Sequence, residues 1–108
     1  MYQKEQNDFP RPKNFIYDKV IFFDGNVAVI FGEYKDWGYK SLGMRWMLGE
    51  SKLGYPSLFG KPMWMVIPDQ FAIYILKGIL EATREFEIID FELLKHALKT
   101  IEEREAKK

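Results

Sequence analysis

Chemistry in a folded domain needs groups that converge, and this 108-residue chain carries few of the usual ones. It has no cysteine and one histidine, His96. Thiolate nucleophiles, disulfides and cysteine-based zinc sites are therefore excluded together. A lone histidine cannot supply a multi-ligand metal site, and no serine or carboxylate is spaced beside it as a triad, so His96 reads as an ordinary rim residue of a helix. Asp18 with Asp24, and Glu33 with Asp36, are the carboxylates closest to pairing, but each sits near a turn, where carboxylates are commonly solvated. The glycines at 25, 32, 38, 43, 49, 54 and 60 are spaced as turns and strand ends. None opens a helix in the pattern of a phosphate-binding loop. These residues predict no catalytic site, no metal and no cofactor.

What remains is a mixture of aromatic and basic side chains on strands and loops. Single-stranded DNA or RNA is bound by this mixture: bases stack on rings while Lys and Arg follow the phosphates. On that reading Lys35, Trp37, Lys40, Arg45, Lys52 and Lys61 are the nucleic-acid contacts. Trp37 follows a turn and is the expected stacking residue, whereas Trp46, Trp64 and Phe59 have a plain alternative role in packing. A second function class is a protein-interaction or accessory module, with Tyr55, Leu58 and Phe59 on a long loop as the contact surface. Basic residues clustered on one face favour the first reading. Scattered charges with an exposed apolar patch at the loop favour the second.

The elements that position these residues follow from their periodicity. Residues 1–14 are polar, contain Pro10 and Pro12, and predict a flexible arm. Strands are predicted at 15–23, 27–35, 39–48 and 63–67, with Asp24-Gly25-Asn26 as a hairpin turn. Both faces of the second strand are apolar, so it is expected to be central and covered on both sides. On the third strand Leu42, Met44, Trp46 and Leu48 form the better core set, which puts Arg45 on the opposite face. Gly32 and Gly43 suggest bulges or strong curvature. Residues 49–62 read as a long loop.

Pro68-Asp69 opens a helix over 69–84. Phe71, Tyr74, Ile75, Gly78, Ile79 and Ala82 form one stripe on it; Ile73, Leu76 and Leu80 form another. A helix apolar on two sides must be buried on two sides, which predicts a homodimer unless the last helix covers one of them. That last helix spans 90–104, capped by Asp90, and leaves 105–108 as a frayed tail. The chain is thus an α+β domain over 15–104: a four-stranded antiparallel meander, one long helix and a second C-terminal helix.

Composition sets further bounds. Sixteen basic and sixteen acidic residues cancel, so there is no bulk attraction to nucleic acid or anionic lipid. The N-terminus lacks an apolar signal core, and no apolar run approaches the roughly 20 residues a membrane span needs. A cytoplasmic protein is expected.

Gly60-Lys61-Pro62-Met63-Trp64-Met65-Val66-Ile67-Pro68-Asp69-Gln70-Phe71, preceded by the strand half, resembles the end of the positive-cofactor type transcriptional coactivators and their Whirly relatives. The resemblance covers residues 16–82 in element order and 60–71 in residue type. It implies a single-stranded DNA-binding sheet, dimerisation through helices, and an accessory role in transcription or replication. The chain departs from those families in its second helix after residue 86 and in lacking a basic excess.

Overall fold

Asp24-Gly25-Asn26 turns strand β1 (Phe15–Phe23) back into β2 (Val27–Tyr34). The backbone N–H groups of Asn26 and Val27 donate to Asp24 Oδ1 at 2.9 and 2.8 Å. Gly25 holds φ +97°, which costs a glycine nothing sterically. In the computed structural model, which describes residues 5–47, 54–82 and 86–108, the chain continues through β3 (Lys40–Trp46) and a hairpin of β4 (Ser57–Leu58) and β5 (Lys61–Pro62). It then forms β6 (Met65–Ile67), helix α1 (Asp69–Glu81), β7 (Ile88–Ile89) and helix α2 (Phe91–Ala106). The antiparallel sheet has the order β6-β3-β2-β1-β7. The α+β class stands as expected, and the four-stranded meander gains a fifth strand at the β1 edge.

β2 is central and covered on both faces. Val29 and Phe31 face the helices with Leu42 and Ile67, against Ala72 and Leu76 of α1 and Leu94, Ala97 and Ile101 of α2. Ala28 and Ile30 face the other way, into a second core with Val20, Phe23, Phe9 and Trp64. The helices are tied at one end by Arg104. Its Nε and one terminal nitrogen donate to the two oxygens of Asp69 at 2.7 and 2.9 Å, and that terminal nitrogen also donates to the Lys40 carbonyl at 2.8 Å. Asp90 caps α2 as expected, accepting from the Leu93 N–H at 3.0 Å.

The second core corrects several expectations at once. Residues 5–14, expected as a flexible arm, lie across the sheet. Phe9 is buried edge-on to Phe23, with ring centroids 5.2 Å apart, a burial that contributes about 1.5–3 kcal/mol. The Gln6 side chain donates to the Val20 carbonyl and accepts from the Val20 N–H, at 3.1 and 2.7 Å. It does so where β1 shifts register between Tyr17 and Phe22, so a side-chain amide takes the place of a ladder bond. The Pro10 carbonyl accepts from the Tyr17 hydroxyl at 2.7 Å and from Trp64 Nε1 at 3.0 Å.

On β3 the core face is the reverse of the expected one at its end. Arg45 is 2% exposed and Trp46 is 52% exposed, because the helices stop short of Trp46 while the chain at 54–64 wraps over Arg45. Leu48 of the same predicted set lies outside the described residues. Gly43 marks no bulge: β2–β3 pairing is continuous through it, and a Cβ there would lie 2.9 Å from the Phe15 ring. The predicted long loop contains the β4–β5 hairpin and an antiparallel bridge between Trp46 and Tyr55. α2 continues to Ala106, past the point where a frayed tail was expected.

Candidate functional site

The β4–β5 hairpin projects from the layer that covers the second core. Leu58 pairs with Lys61, so the loop between the strands is only Phe59-Gly60. Both residues hold left-handed backbone, φ +49° and +76°, as a two-residue type I′ loop requires. Asn, Asp or Gly normally fill the first of these positions; a bulky side chain there costs on the order of 1 kcal/mol. Nothing in the fold repays that cost, since Phe59 is 94% exposed. Tyr55 and Leu58 are exposed as well. All three predicted partner-contact residues are therefore at the surface on one excursion of the chain.

Beside the hairpin lies an open groove of about 530 Å³, lined by Pro10 to Asn14 on one side and Lys61, Pro62 and Met63 on the other. Among the described residues its lining carries Arg11, Lys13 and Lys61 and no carboxylate. Arg11 is held in place by donating to the Tyr17 and Asp18 carbonyls at 2.6 and 2.7 Å, with its guanidinium 4.3 Å from the Tyr17 ring centre. The groove ends at Asn14, whose carbonyl accepts from the Lys35 N–H at 2.7 Å. Arg11 and Lys13 were not among the residues singled out from sequence. The available signal was Phe9 followed by Pro10-Arg11-Pro12-Lys13: an aromatic able to anchor an extended, proline-stiffened strand of alternating basic residues.

Under the groove sits a buried polar node. Arg45 donates to the Met63 carbonyl and, at 3.3 Å, to the Pro56 carbonyl; its guanidinium lies 5.9 Å from the Trp64 ring centre. Burial pushes its pKa down, opposed by the nearby Tyr17 hydroxyl. Tyr17 packs edge-on against Trp64, with ring centroids 5.3 Å apart. Burial pushes its hydroxyl up to about 12, with Arg11 and Arg45 acting in the opposite direction. Arg45 thus organises the loop from inside and presents no charge to a ligand on the sheet.

The other predicted nucleic-acid contacts are dispersed. Lys35 and Lys40 are exposed on either side of the β2–β3 turn. Trp37 is exposed too, but one face of its ring is stacked on Tyr39 at 5.6 Å, and its edge meets Tyr34. Lys61 belongs to the groove, and Lys52 lies outside the described residues. His96 is exposed on α2, edge-on to Phe31. Among the described residues no cluster of His, Asp or Glu is arranged to hold a metal, and no helix is long and apolar enough to cross a membrane. No family model, curated protein or solved structure matches the chain.

Proposed function

We propose that this chain is a non-enzymatic protein-interaction module that binds an apolar, acidic polypeptide segment through the hairpin tip and the adjoining groove. The observation that carries the reading is Phe59, a fully exposed aromatic in an unfavourable backbone conformation with no folding role. Residues kept at such a cost are commonly there for contact. The charge of the groove supplies the partner's chemistry: among the described residues Arg11, Lys13 and Lys61 line it without a carboxylate, so a segment bearing Asp or Glu beside an apolar side chain is complementary. The nucleic-acid reading has less support, since Arg45 is buried and Lys35 and Lys40 stand apart from Arg45 at the turn.

The test is selection of a random peptide library on the purified chain, followed by affinity measurement of the selected peptides. Acidic-apolar sequences should be enriched, and Phe59→Ala and Lys61→Glu should each weaken their binding about tenfold or more. Enrichment that neither variant affects would refute the assignment. A parallel titration by fluorescence anisotropy uses labelled dT and mixed-sequence oligomers at low salt. Micromolar binding that is lost in Trp37→Ala would replace this reading with single-stranded nucleic-acid binding in transcription or replication.

A further inference from the structure

A second surface, on the opposite face of the sheet, is unexplained by the hairpin. The side of α1 turned away from α2 carries Phe71, Tyr74 and Gly78 at successive turns. A groove of about 320 Å³ runs between this side and the sheet, with Tyr74, Ile75 and Gly78 on one wall and Val27 and Met44 on the other. Val27 and Met44 also line a smaller hollow with Trp46, Tyr55 and Met65, so the two form one continuous apolar face. Trp46, Tyr55, Met65, Phe71 and Tyr74 are each between 47% and 74% exposed.

We infer that this face is where a second copy of the chain packs, α1 against α1, in a two-fold dimer. Three observations identify the occupant as another copy. The first is area: at roughly 200 Å² per large side chain, these five residues expose on the order of 600 Å². A standard interface takes about 800 Å² from each partner, a little over half of it apolar, so the face has the apolar content of a stable dimer. The second is charge. A two-fold interface brings each group near the axis against its own copy, so a charge there would meet its like. α1 meets this condition over the turn from Phe71 to Tyr74: Asp69 pairs with Arg104, and Lys77 lies 3.5 Å from Glu102, both on the α2 side. Asp24 lines the groove at its Gly78 end, and Glu81 follows Gly78 by one turn.

The third is Gly78. It lies inside a regular helix, where glycine is less favourable than alanine, yet a Cβ there would meet nothing within 4 Å among the described residues. No contact among them requires a glycine at this position. A helix approaching from outside does, because removing the side chain lets two backbones come close. Tyr74 and Phe71 then seat beside the crossing point, and Met44, Met65 and Trp46 form the rim on the sheet.

Sedimentation equilibrium of the full chain tests this. The wild type should approach twice the 12.9 kDa chain mass at concentrations of about 10–100 μM. Gly78→Arg and Tyr74→Glu should each sediment as the single chain with unchanged circular dichroism, while Phe59→Ala should remain dimeric. Gly78→Ala gives an opposite-signed readout: it raises Tm if the position is merely exposed, and weakens dimerisation if the helices touch there. A wild type that stays at 12.9 kDa throughout overturns the inference. So does a dimer that Gly78→Arg and Tyr74→Glu leave intact. Loss of the dimer in Phe59→Ala alone would also overturn it, by moving the interface to the hairpin.

Discussion

Tyr17→Phe should invert its effect on stability with pH. At neutral pH the substitution removes the hydrogen bond to the Pro10 carbonyl, but that carbonyl keeps its bond from Trp64 Nε1. No acceptor is stranded, so the loss is about 1 kcal/mol. At high pH the sign changes. Burial raises the native Tyr17 hydroxyl to about 12 from 10.0. Below the unfolded value the proton is bound in both states, and the stabilising contribution is fully present. Between the two values the unfolded chain releases the proton while the native state retains it, so stability falls as pH rises. The loss reaches about 2 kcal/mol near pH 11.5 and tends to about 2.7 kcal/mol above the native value. Lysine titration affects wild type and variant alike and cancels in the comparison. Urea unfolding followed by tryptophan fluorescence should therefore find the variant about 1 kcal/mol less stable near pH 8 and about 1 kcal/mol more stable near pH 11.5. Curves for the two proteins that stay parallel across that range would show that Tyr17 is not the late-titrating group, and the burial argument would fail.

The burial or exposure of individual side chains makes three further outcomes specific. Trp64→Ala should cost about 3–5 kcal/mol, whereas Trp46→Ala should cost less than about 1.5 kcal/mol; equal midpoints in chemical denaturation would contradict the assigned faces. Arg45→Met keeps much of the side-chain volume but removes the donor to the Met63 carbonyl and one of the donors to Pro56, and should cost about 2–3 kcal/mol; wild-type thermal stability in this variant would refute the buried role. Phe59→Asn relieves the left-handed turn and should raise stability by about 0.5–1 kcal/mol, read as a higher urea midpoint with an unchanged slope.

The meander and both helices were legible because their signals are local: period-two alternation, Asp24-Gly25-Asn26, Pro68-Asp69 and Asp90. What covers the sheet was not. Trp46 and Arg45 are neighbours on opposite faces, and apolarity alone assigned Trp46 inward. The outcome depends on where a helix ends on one face and where the chain at 54–64 crosses on the other, and neither is encoded near residue 45. Pro10 and Pro12 marked a flexible arm, whereas residues 5–14 are docked, because the anchors, Val20 and Trp64, are distant in sequence. β7 escaped notice because two residues are too few to show a period. For the candidate site, exposure of Tyr55, Leu58 and Phe59 followed from their place in a turn-rich segment. The groove beside them depended on the arm's docking and so stayed hidden.

The Gln6–Val20 pairing has a consequence for how the molecule opens. Most sheet amides are held by neighbouring strands, so their exchange with solvent deuterium reports the unfolding of the sheet. The Val20 amide is held by a side chain of the covering segment. The same segment shares the Pro10 carbonyl with Trp64, which ties it to the 54–64 excursion. Lifting that cover should thus be a separate cooperative step, with the helices and the remaining ladder still in place. A single amide at residue 20 should register it, exchanging earlier than that of its ladder partner Ile30.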